Sequence, residues 1–82
     1  MSIEKTEVLS RLQIIFDELF LDEVTVTPEL SARDVEEWDS LLHISLVVTV
    51  EERFGVKFRV GEVEATESVG EFIDLIIERS NV

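Results

Sequence analysis

Apolar residues recur at spacings of three and four along three stretches of this sequence, a pattern that calls for helices burying one face each. In the first stretch, from about Glu4 to Phe20, the stripe is Val8, Leu12, Ile15 and Leu19, widened by Leu9 and Phe16, with no glycine or proline inside it. The second opens at Asp39 or Ser40 and runs to about Phe54, where Gly55 supplies a C-terminal stop. The third begins after Ser68, which with Glu71 has capping-box spacing, and carries Phe72, Ile73, Leu75, Ile76 and Ile77 to near Arg79.

The remaining segments connect these helices. Leu21 to Trp38 is a long connection, and structureless loops beyond about 12–15 residues are uncommon unless functional. Within it Thr27 and Pro28 suit a short helical turn, and Leu21, Val24, Val26, Leu30 and Val35 are expected to pin the segment to the core. Gly55 to Val60, "GVKFRV", alternates apolar and basic residues but has no partner strand, so it reads as an extended link. Gly61 to Ala65, "GEVEA", reads as one short helical turn. The expected fold is all-α: a small four-helix bundle of three main helices plus a short one, in a single domain over residues 1–82.

Such a bundle must hold without staples. The chain has 82 residues and no cysteine, which excludes disulfides, thiolate metal sites and a catalytic thiol of its own. Its hydrophobic fraction of 45% is enough for a packed core. No apolar run nears the roughly 20 residues that span a bilayer. The start, "MSIEKTEVLS", has early acids and no hydrophobic signal region, so a soluble cytoplasmic protein is expected. A monomer is expected as well. Nineteen acidic residues face seven basic ones, a net charge of −12 at pH 7. That charge repels nucleic acid and anionic membranes and attracts basic patches on protein partners. Solubility alone is the plainer explanation of the same charge.

The second helix has more apolar surface than one buried face needs. With Ser40 at zero and roughly 100° per residue, Leu46, Val47, Val50 and Phe54 form one core-facing stripe. Leu41, Ile44 and Val48 form another, rotated well away and flanked by Glu51 and Glu52. A second stripe rimmed by carboxylates is an interaction surface unless the long connection folds back over it.

Two chemical readings of this helix are weak. Ser40 and His43 lie one turn apart, as a nucleophile and base would. A hydrolase also needs an orienting group, an oxyanion hole and a pocket, for which a chain with one histidine and three glycines has little material. A solvated or half-buried histidine is the better reading. A metal site is not expected, because the acidic segments lack the glycine and ligand spacing of a calcium loop.

The stretch "WDSLLHISLVVTVEERFGVKF" resembles the modification-site helix of acyl carrier proteins, in which an Asp-Ser-Leu motif opens the second helix. The likeness includes Asp39-Ser40-Leu41, Leu46, Val50, Glu51-Glu52 and Phe54, and extends to "VTPEL" in the long connection and "SVGEFIDLI" in the last helix. It implies a carrier with no catalytic residues, bearing a covalent 4′-phosphopantetheine from coenzyme A on Ser40, with Asp39 and Leu41 beside it. The arm's thiol would hold acyl or aminoacyl groups as thioesters. Leu41, Ile44, Val48, Glu51 and Glu52 would then be the docking face. The implied partners are a phosphopantetheinyl transferase, a loading ligase or transferase, and a downstream synthase or acyltransferase. Leu42, His43 and Ser45 depart from the more acidic housekeeping carriers, and Trp38 replaces a small residue. These features are similar to stand-alone carriers of specialised pathways. The competing class is an acidic helical adaptor in which Ser40 is only a helix cap.

Overall fold

In a computed structural model, which describes residues 4–59 and 61–80, the first stripe becomes α1, Lys5–Leu19, and buries Val8, Leu12, Ile15 and Phe16. This helix is the hub. It packs against α2 (Ser40–Phe54) and α3 (Val69–Ser80), while α2 and α3 make little direct contact with each other. Leu46 and Val50 from α2 meet Val69, Phe72, Ile73 and Ile76 from α3 in one core around α1. Each such side chain stabilises the fold by about 1.5–3 kcal/mol on burial. Three α-helices and one 3-10 helix, Ala32–Asp34, with no strand among the described residues, make this an all-α bundle as expected.

Polar clamps fix α2 on α1. Arg53 forms a two-pronged contact with Glu18 at 2.8 and 3.1 Å. Arg11 donates to the Arg53 carbonyl at 2.8 Å, which gives one free carbonyl of the last helical turn a cationic partner. The Arg11 guanidinium also lies 4.3 Å from the Phe54 ring centre. Gly55 ends α2 with φ of 66°, a left-handed conformation that disfavours any side chain.

The long connection is held at both ends by side chains. The Gln13 amide donates to the Val24 carbonyl and accepts from the Val26 N–H, at 2.8 and 2.9 Å, bracketing the segment whose Val24 and Val26 are buried. Leu30 and Val35 pack at the edge of the core. Leu21 does not: it is 96% exposed, contrary to expectation. The Glu37 carboxylate accepts both the Leu21 and Asp22 N–H groups, at 2.8 and 3.0 Å, and this backbone tether replaces the side-chain anchor.

Two short elements differ from the sequence reading. Thr27 and Leu30 close a tight turn by one backbone bond of 3.1 Å, with no helix there. The 3-10 helix follows at Ala32–Asp34, with the Asp34 carboxylate accepting the Ser31 N–H at 3.1 Å. Gly61 to Ala65 is a single turn closed by the Ala65 N–H on the Gly61 carbonyl, as expected. Val60, the end of the expected extended link, lies outside the described residues.

The connection also starts α3. Its first N–H groups find partners outside the helix: Val69 on the Leu30 carbonyl, Gly70 on the Pro28 carbonyl, both at 2.8 Å, and Glu71 on Ser68 Oγ at 3.3 Å. A Cβ at position 70 would come within 3.1 Å of the Pro28 carbonyl oxygen, so glycine permits this approach.

Candidate functional site

Asp39 and Ser40 divide the work at the start of α2. Asp39 has extended backbone and its carboxylate accepts the Leu42 N–H at 2.9 Å, so Asp39 is the cap. Ser40 is the first helical residue. Its side chain is exposed and its hydroxyl makes no hydrogen bond within the protein among the described residues. The N–H groups of Ser40 and Leu41 likewise have no protein acceptor among the described residues. The site is therefore a free hydroxyl on the positive end of a helix dipole.

The second apolar stripe is open. Leu41, Ile44 and Val48 are 75%, 60% and 47% exposed, so the long connection does not cover them. The first stripe behaves oppositely, with Leu46 and Val50 fully buried and Val47 and Phe54 at the core edge. The flanking acids differ from one another. Glu52 is exposed, whereas the Glu51 carboxylate accepts the Phe58 N–H at 2.9 Å and so also holds the link after α2.

Trp38 and His43 form a pair beside Ser40 that periodicity did not reveal. Trp38 Nε1 donates to His43 Nδ1 at 3.2 Å, and the two rings stack with centres 6.2 Å apart. Trp38 is seated edge-on against Phe16 and Phe20, at 5.3 and 5.9 Å between ring centres. His43 is half-buried, and its Nε2 faces Glu64 Oε1 at 3.9 Å. With Nδ1 committed to Trp38 and no hydrogen bond between His43 and Ser40 among the described residues, the nucleophile–base arrangement is not formed. No group of metal-ligating side chains occurs among the described residues. No helix among them is long and apolar enough to cross a membrane.

Two hollows meet at this pair. One, of about 390 Å³, lies beside Ser40 and is walled by Ala32, Trp38 and Ile44. The other, of about 410 Å³, is walled by Ala32, Val63 and Thr66 and by Val69 and Phe72 at the start of α3.

This arrangement has close relatives. The chain is 38% identical over 77 residues to the acyl carrier protein of Rubrobacter xylanophilus, covering 93% of this chain and 95% of that one. The chain belongs to the acyl carrier protein family. The Myxococcus xanthus acyl carrier protein is 37% identical over 73 residues, covering 88% of this carrier and 92% of its relative. The solution structure of holo acyl carrier protein from Geobacter metallireducens superposes with a TM-score of 0.78 at 38% identity, over 87% of this carrier and 83% of that chain. No family model matches the sequence.

Proposed function

We propose that this carrier holds acyl or aminoacyl groups as thioesters on a 4′-phosphopantetheine arm attached to Ser40, and presents them to the enzymes of a biosynthetic pathway. One observation carries the reading: in an acyl carrier protein, the exposed Ser40 hydroxyl is left unused by the fold because Asp39 does the capping. The surrounding residues suit the group. The free N–H groups of Ser40 and Leu41 at the helix end favour a phosphodiester anion, and the hollow beside Ser40 offers a partly apolar shelf. The bound arm supplies the thiol that this cysteine-free chain lacks. In the loading step the Ser40 oxygen bonds to phosphorus of coenzyme A, the pyrophosphate link breaks, and the nucleotide leaves. The hydroxyl proton passes to the transferase.

The carrier contributes attachment and recognition, and its partners contribute catalysis. Leu41, Ile44 and Val48 form the apolar centre of the docking face, with Glu52 and the free edge of Glu51 as its acidic rim. The partners are a phosphopantetheinyl transferase, a loading ligase or transferase, and a synthase or acyltransferase, each meeting this face through a basic patch. A net charge of −12 speeds those encounters.

Incubation with coenzyme A and a broad-specificity phosphopantetheinyl transferase tests the reading by mass spectrometry. The expected product carries one phosphopantetheine on the peptide containing Ser40, and Ser40→Ala carries none. No mass gain, or a gain that persists in Ser40→Ala, overturns it.

A further inference from the structure

One buried polar atom near Ser40 is left without a partner among the described residues. A tryptophan N–H can only donate, so His43 Nδ1 must be the acceptor in the Trp38 contact at 3.2 Å. The proton of the neutral imidazole then sits on Nε2. That nitrogen is shielded from solvent and has no hydrogen-bond partner among the described residues. Its nearest acid, Glu64, is 3.9 Å away, beyond hydrogen-bond range. Buried donors are rarely left unmatched, and such exceptions call for an explanation.

The position of His43 supplies one. The residue is three places after Ser40 on α2, hence its neighbour on the helix surface. Together with Trp38, Ala32 and Glu64 it walls both the hollow beside Ser40 and the second one, which reaches Val69 and Phe72. Glu64 is poorly secured. Its side chain is 64% exposed and accepts no hydrogen bond among the described residues. A phosphodiester on Ser40 adds a negative charge to the wall that already holds this carboxylate. Like charges repel, so loading favours Glu64 turned outward to water.

We propose that His43 is a positioning residue whose Nε2–H donates to a carbonyl oxygen of the phosphopantetheine arm, holding the arm along α2 and replacing Glu64 as the nearest acceptor. The inference rests on attachment at Ser40. Trp38 is the second member of the device: by occupying Nδ1 it keeps the donor on Nε2, the nitrogen beside Glu64 that is uncovered when that carboxylate turns outward. An arm held in this way presents its thiol from a narrowed set of directions.

NMR of the carrier before and after loading, using an isotopically labelled arm and labelled histidine, reads this directly. Loading is verified by mass in every sample. In the wild-type protein, loading is expected to shift the His43 Nε2–H signal and slow its exchange with water. The arm's amide signals are expected to move away from those of free pantetheine. His43→Gln, which can still accept from Trp38 and donate to the arm, retains displaced arm signals. His43→Phe, which keeps an aromatic ring and loses the donor, returns them to free values at unchanged loaded mass. Glu64→Ala keeps the loading-dependent His43 shift.

The outcomes separate cleanly. Absence of any mass gain overturns the attachment and this inference with it. A full mass gain with free-like arm signals in the wild-type protein overturns the inference alone. So does a His43 shift that disappears in Glu64→Ala, which assigns the donor to Glu64 instead. If His43→Phe unfolds, the wild-type and Glu64→Ala spectra still decide the matter.

Discussion

Glu51 Oε2 accepts the backbone N–H of Phe58, seven residues further along the chain, at 2.9 Å. Phe58 in turn packs against Phe72 of α3, with ring centres 5.8 Å apart. One carboxylate on the rim of the proposed docking face therefore also secures the route from α2 back to the core. Its neighbour Glu52 has no ion pair among the described residues. Adjacent acids of the same type thus have different duties.

Substitution separates those duties. Glu51→Ala is expected to destabilise the protein by about 1.5–3 kcal/mol, the usual worth of a hydrogen bond to a charged group. Glu52→Lys should leave the melting temperature unchanged and slow modification by the transferase, with the defect shrinking as salt is added. Thermal melts of both variants and transferase kinetics at low and high ionic strength check this. Equal melting losses for the two would refute the division.

Asp39 and Ser40 make a second contrast. Ser40→Ala should fold with wild-type stability and remain unmodified. Asp39→Ala should lose about 0.5–2 kcal/mol, the cost of a missing N-cap. Denaturant titrations measure both, and a marked loss in Ser40→Ala would mean that its hydroxyl supports the helix after all.

The two stripes of α2 give a third test on one helix. Ile44→Ser, at an exposed position, should change stability by no more than about 0.5 kcal/mol and reduce transferase efficiency. Leu46→Ala, at a buried one, should lose about 2–5 kcal/mol. Wild-type rates of modification in Ile44→Ser would exclude this stripe from transferase docking.

Acid should act on the clamp between α1 and α2. The hydrogen bond from Arg53 holds the Glu18 carboxyl below its ordinary value of 4.5. A group whose pKa is lower in the folded chain stabilises it above the unfolded value, and that contribution fades as pH falls through the folded value. Wild-type protein should therefore melt higher than Glu18→Gln at neutral pH, and the gap should close below the ordinary carboxylate range. Because both side chains are half exposed, salt should narrow the gap as well. A gap that is constant with pH would rule out this clamp as its source.

Much of the bundle was legible because its signals are periodic. Val8, Leu12 and Ile15 declared a buried face, and the angular separation of Leu41, Ile44 and Val48 from Leu46 and Val50 declared an open one. The misplaced details lie where backbone groups decide the conformation. Leu21 has the composition of an anchor, yet Glu37 takes the local N–H groups and leaves its side chain in water. The 3-10 helix has no apolar period, although Ser31 and Asp34 have the spacing of a capping pair that would have found it. Trp38 stands outside α2, so helical arithmetic could not bring its indole onto His43. Its seat against Phe16 and Phe20 is a tertiary contact that sequence spacing does not carry.

The separation of Asp39 from Ser40 reaches beyond the helix end. A residue with no part in holding the chain together can be altered at any time after synthesis. Protein made ahead of demand can then be stockpiled blank. On the proposed reading, the ready fraction is set by the supply of transferase and coenzyme A, so loading becomes a throttle that is independent of how much carrier survives proteolysis.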